Sequence, residues 1–198
     1  MKIKIKFGII TPLFIAFLLF SDNIIYTLLG LLAAALHELG HIIAAKLTSI
    51  HLSSLSLDLL GARLTTDRRL TSFKDEIILC SAGPLVNFAV SATVFLILPN
   101  INNAGAFYEY MSFFATASAA LGILNLLPVK SFDGGRILEC ILCIFSGEHR
   151  ALLTLSVLSF ASCFCLWSLS VYLIIKTGNS LSLFVFSVSL FSRIFIKE

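Results

Sequence analysis

Charge is scarce in this chain: 13% of its 198 residues are Asp, Glu, Lys or Arg, against 58% that are hydrophobic. Soluble domains carry about 25% charged residues, and a water-soluble fold needs a polar surface that long stretches here do not offer. That excludes a soluble globular domain, and a mean hydropathy of +0.99 assigns the chain to a lipid bilayer. Clustered basic residues are also lacking. The net charge is only +3 and Lys and Arg are scattered, so no nucleic-acid footprint is present. The five cysteines, Cys80, Cys140, Cys143, Cys163 and Cys165, are an odd number set in apolar segments, which argues against a disulfide framework. They read as small buried hydrophobes. Cys140 and Cys143 share helical spacing, but no second pair stands near them to complete a structural metal site. Lys2, Lys4 and Lys6 precede an apolar run as in a signal peptide. No small-residue cleavage site follows, so this run reads as a first membrane segment.

A membrane helix needs about 20 mostly apolar residues. Six segments qualify as candidates: about Phe7 to Phe20, short and holding Pro12; Ile24 to Leu47; Ile77 to Leu98; Phe107 to Leu127; Leu152 to Ile175; and Leu181 to Ile196. Between the second and third, His51 to Leu57 and Ala62 to Thr66 have alternating or β-branched character around Gly61, the pattern of a small hairpin at the membrane surface. Pro128 to Gly147 reads as a loop and a short helix. With six spans, 13 of the 14 basic residues fall on one side and Lys176 alone on the other. Positive loops stay in the cytoplasm. The expectation is an all-α integral membrane protein, a single domain over residues 1–198 with about six transmembrane helices. Its β-hairpin lies at the cytoplasmic surface, and both termini are cytoplasmic in a multi-pass cell-membrane topology.

Polar residues interrupt the second segment at Leu36-His37-Glu38-Leu39-Gly40-His41. Four residues make slightly more than one helical turn, so the two imidazoles of this HExxH project from one face and can bind one metal ion. Glu38 sits one position round, placed to take a proton from the attacking water and return it to the leaving amine. Gly40 is expected to keep the helix surface open for substrate or water. A buried histidine is ordinarily hydrogen-bonded core, but each ionisable group in a bilayer costs roughly 2.5 to 3.5 kcal/mol on insertion scales. Three within five residues would be a heavy cost without a compensating metal or partner. A catalytic zinc site takes three protein ligands, and the best third candidate is Asp133. It lies in Asn125-Leu126-Leu127-Pro128-Val129-Lys130-Ser131-Phe132-Asp133-Gly134-Gly135-Arg136, where Pro and two Gly break a helix. The alternative is that Asp133 is the N-cap of a helix over Ile137 to Phe145.

HELGH on an early span, Ala82-Gly83-Pro84 on a middle one, and NLLP followed by FDGG together resemble the site-2 protease family of intramembrane zinc metalloproteases. The likeness runs over nearly the whole chain and is nearest to the stage IV sporulation protease branch, which processes a membrane-tethered pro-sigma factor. It implies Zn2+ held by His37, His41 and Asp133, with Glu38 as catalytic base and Asn125 near the substrate or the oxyanion, where an amide donor stabilises developing charge. Pro128 and Gly134 would shape the loop. Asn87 is a weaker carry-over, with an interhelical hydrogen bond as its alternative. The implied partners are a membrane-associated protein substrate and inhibitory membrane proteins. Two departures stand out. Members of that branch often carry a CBS-type nucleotide-sensing domain after the last span, and this chain stops at Glu198. Ser131 and Phe132 stand where the family commonly has Pro or Leu.

A substrate is expected to enter as an extended strand paired with the 51–66 hairpin, because a helix hides its peptide bonds. The rival reading is a membrane metal transporter or sensor, since intramembrane His, Glu and Asp also mark ion pathways. Transport would continue polar residues across the bilayer, and the outer halves of these spans have almost none. A catalytically dead scaffold is a further rival, opposed by the intact HELGH and Asp133.

Overall fold

The structure is a computed structural model that describes residues 5–7, 24–48, 52–58, 61–66, 72–101, 105–177, 184, 186–188 and 190–191. Its helices are α1 (Ile24–Leu47), α2 (Phe73–Ile97), α3 (Ala106–Asn125), α4 (Asp133–Ser146) and α5 (Glu148–Thr177), with a 3-10 turn, Leu98–Asn100, after α2. Three strands, β1 (Ile5–Phe7), β2 (Leu52–Asp58) and β3 (Gly61–Thr66), form one sheet in that order. The chain divides into two compact units, Met1–Leu124 and Asn125–Glu198.

In the first unit α1 is two-faced. Leu28, Leu32, Leu39, Ile43 and Leu47 are exposed, whereas Ala33, His37, Gly40, His41, Ala44 and Ala45 are buried. The outer face suits lipid. The buried face is made of small residues because helices in lipid gain nothing from hydrophobicity and associate through close backbone packing. Ala44 and Ala45 meet Leu79 and Ala82 of α2. Near the start of α1, Tyr26 packs on Tyr110 and Phe113 of α3, with ring centroids 5.5 and 4.6 Å apart.

α2 begins four residues before the apolar run that forecast it. Ser72 caps it: the Lys74 amide donates to Ser72 Oγ at 3.3 Å, and Asp75 and Glu76 lie in the first turn, where negative charge complements the helix dipole. Polar residues read as loop are thus helix start. β2 and β3 pair antiparallel, Leu55 opposite Leu64 and Asp58 opposite Gly61, with an irregularity between Leu52 and Ser54. β1 adds a parallel edge, Ile5 opposite Leu55, which the sequence pattern did not announce.

Among the described residues three helices are long and apolar enough to cross a membrane: Ile24–Leu47, Phe73–Asn100 and Glu148–Lys176. The expected fourth span falls on α3, which is 20 residues long. The expected first span lies outside the described residues apart from Phe7, as does most of the sixth.

The second unit is organised by a folded loop between α3 and α4. Val129 and Phe132 are buried, and the Phe132 amide donates to Val129 O at 2.8 Å. From α5, Ser159 clasps the loop: its Oγ accepts from the Lys130 amide at 2.9 Å and donates to Pro128 O at 3.3 Å. The loop backbone presses directly on the first turn of α4. A Cβ at Gly134 would collide with the Leu126 carbonyl, and one at Gly135 with that of Val129. The DGG sequence therefore reflects room for backbone.

Gly134→Ala is expected to destabilise the protein by about 1 to 3 kcal/mol, the usual cost of overpacking. Gly30→Ala, at a helix position with nothing within 4 Å, should be neutral or stabilising by about 0.5 to 1 kcal/mol. Denaturant unfolding in detergent, followed by circular dichroism, distinguishes the two.

Candidate metal centre

His37 and His41, one turn apart on α1, face the same way. Their Nε2 atoms lie 3.1 Å apart, and the rings meet edge to face with centroids 4.8 Å apart at 81°. Each is 5% exposed. Two buried imidazoles carry four ring nitrogens, each of which needs a partner.

α2 supplies those partners along one stripe. Leu79, Gly83 and Asn87 are spaced four apart and so share a face. His41 Nδ1 lies 2.8 Å from Leu79 O. A carbonyl only accepts, so His41 Nδ1 carries the proton and its Nε2 presents a lone pair. His37 Nδ1 lies 3.2 Å from Asn87 Nδ2. Between these anchors Gly83 stands opposite the two Nε2 atoms. A Cβ there would collide with His41 Nε2 and come within 2.7 Å of His37 Nε2.

This set fits a metal ion. Zinc bound at about 2.0 to 2.1 Å in a tetrahedron holds two imidazole nitrogens about 3.3 Å apart, close to the 3.1 Å separation of the Nε2 pair. The rings are also anchored through their other nitrogens, as metal-binding histidines are. Glu38 follows on α1, half-buried and turned about 100° from His37.

The remaining expected residues belong to the second unit. Asp133 is the first residue of α4 and half-buried; the N-cap residue is Phe132, which makes no side-chain cap bond. The alternative reading of Asp133 as the N-cap is therefore displaced by one position. Asn125 is the last residue of α3 and half-buried.

Gly40 requires a correction. It does not hold a surface open: a Cβ there would stand 2.7 Å from Ala82 O and 2.9 Å from Val86 Cγ2, so the glycine permits close contact between α1 and α2. Sequence reasoning missed the Leu79 carbonyl and underrated Asn87. The signal was available in the four-residue spacing of Leu79, Gly83 and Asn87, which repeats the spacing of the histidines opposite.

Residues 99–169 match the sequence model of Peptidase family M50. The chain is 30% identical over 129 residues to Rip3 of Mycobacterium tuberculosis, covering 60% of this chain and 33% of that protein. It is 28% identical over 146 residues to the zinc metalloprotease MJ0392 of Methanocaldococcus jannaschii, covering 71% and 42%. The chain thus spans about a third to two fifths of the length of these curated relatives. Its fold matches the solved structure of the site-2 protease from Methanocaldococcus jannaschii with a TM-score of 0.73 at 23% identity, over 98% of this chain and 90% of that one.

Gly83→Ala is expected to retain helical structure, because the clash falls on ring ends that can swing away, and to lose stoichiometric divalent metal. Elemental analysis of the purified variant beside its circular dichroism spectrum is the check.

Proposed function

From the match of residues 99–169 to peptidase family M50 and the likeness to zinc metalloproteases, we propose that this chain belongs to that family and is an intramembrane zinc metalloendopeptidase, a multi-pass membrane protein that cuts a membrane-associated protein. The observation that carries this reading is the pair of buried imidazole Nε2 atoms 3.1 Å apart, anchored behind by α2 and faced by a glycine. No ordinary core contact needs that combination.

His37 and His41 would hold Zn2+ through Nε2, with Asp133 as the proposed third ligand. When bound, zinc supplies Lewis acidity, polarising the scissile carbonyl and making water a better nucleophile at neutral pH. Glu38 takes the proton from the attacking water and delivers it to the leaving amine. Asn125 donates its amide to the oxygen that gains charge as the carbonyl is attacked. The apolar surroundings strengthen each of these interactions by excluding water.

The finer reading follows the motifs. About six spans set both termini, β2 and β3 on the cytoplasmic side, consistent with the distribution of basic residues. The antiparallel pair β2 and β3 offers a template for an extended substrate segment. A tethered pro-sigma factor processed during sporulation is the substrate favoured by the combination of HELGH, NLLP and FDGG, with inhibitory membrane proteins as regulators.

Glu38→Gln should keep zinc near one per chain and lower cleavage of a tethered substrate by about 10²- to 10⁴-fold, the range of general acid/base catalysis. Asp133→Ala should lose both zinc and cleavage. An active Glu38→Gln protein would remove Glu38 as base. Zinc flux through reconstituted vesicles, with no cleavage of any tethered candidate, would favour a transporter instead.

A further inference from the structure

Asn87 is fully buried at 0% exposure in the middle of α2, an expensive place for an amide within lipid. Its Nδ2 lies 3.2 Å from His37 Nδ1, while its Oδ1 is buried with no hydrogen-bond partner. Half of this costly group is satisfied by the His37 imidazole and half by nothing.

The protons on the ring pair explain the arrangement. His41 Nδ1 donates to Leu79 O, which leaves His41 Nε2 as an acceptor. His37 Nε2, 3.1 Å away, therefore donates to it, and His37 Nδ1 accepts from the Asn87 amide nitrogen. That tautomer is unable to bind a metal through Nε2. Ligation by both Nε2 atoms requires the His37 proton to sit on Nδ1, where it must be accepted. Asn87 faces Nδ1 at 3.2 Å, and a half-turn of its amide exchanges nitrogen for oxygen in nearly the same volume.

We propose that Asn87 is the positioning residue of the metal centre: its Oδ1 accepts Nδ1–H of His37 when His37 binds the metal, holding that imidazole in the ligating tautomer and orientation. The amide is suited to this because it partners either tautomer without changing charge. A carboxylate only accepts and a leucine of similar size does neither. His41 needs no such device, because its backbone partner Leu79 O already fixes Nδ1–H. The inference rests on His37 being a zinc ligand, as proposed above.

The test uses the purified full-length chain in detergent with Zn2+ as probe, its affinity read by competition with a chromogenic chelator. Asn87→Leu should bind Zn2+ about 10- to 100-fold more weakly, the usual loss when a partner of a metal-binding histidine is removed. Asn87→Asp should stay within a few-fold of the unaltered protein. Zinc-loaded unaltered protein with 15N-labelled histidine should show His37 protonated at Nδ1 and bound at Nε2, a readout that needs no variant to fold. Undiminished affinity in Asn87→Leu, or His37 bound through Nδ1, overturns the role of Asn87 while leaving the metal centre standing. Failure of the unaltered protein to bind Zn2+ overturns both.

Discussion

Two imidazoles packed inside an apolar helix pair set the terms for everything around them. Unpartnered, each buried ring nitrogen would forfeit hydration with no return, so α2 must come close enough for its Leu79 carbonyl and Asn87 amide to reach them. That approach is possible because Gly40, Ala44 and Ala45 meet Leu79 and Ala82 across the seam and Gly83 stands against the rings themselves. The same closeness leaves the Nε2 atoms directed at Gly83, where the absent side chain is the space a ligand atom needs. Packing and chemistry are thus one requirement.

The second unit solves a different problem, that of fixing the loop between α3 and α4. Backbone groups of Pro128, Val129 and Lys130 lie outside any helix and need other partners. The loop satisfies them within itself and against Ser159 of α5, while Gly134 and Gly135 let its carbonyls rest on the first turn of α4. Asp133 gains from this in two ways. It starts a helix, where the dipole favours a carboxylate, and it belongs to a segment whose backbone is held firmly.

The matched family region, residues 99–169, includes Asn125 and Asp133 but not the HExxH helix, so the histidines, the glycine stripe and Asn87 stand on the motif and on geometry. The likeness in fold extends over nearly the whole chain. Where the chain departs from its resemblance, at Ser131 and Phe132, Phe132 is a buried anchor of the loop that stacks on Phe186 with centroids 6.4 Å apart.

The long apolar runs could become only membrane helices, because nothing but a helix satisfies every backbone group inside lipid, and α1 falls on its expected bounds for that reason. The HExxH spacing likewise determined which rings share a face, since helical periodicity is a local property. Other features needed tertiary structure. The start of α2 was misjudged because Ser72, Asp75 and Glu76 look like loop until a cap and a helix dipole make them helix. Gly40 was misread because a glycine's use depends on what lies opposite, here the Ala82 carbonyl. Which nitrogen of His37 meets Asn87, and which of His41 meets Leu79, depends on contacts 50 and 38 residues apart in sequence. No local pattern encodes such distances, and only the packing of α1 on α2 decides them.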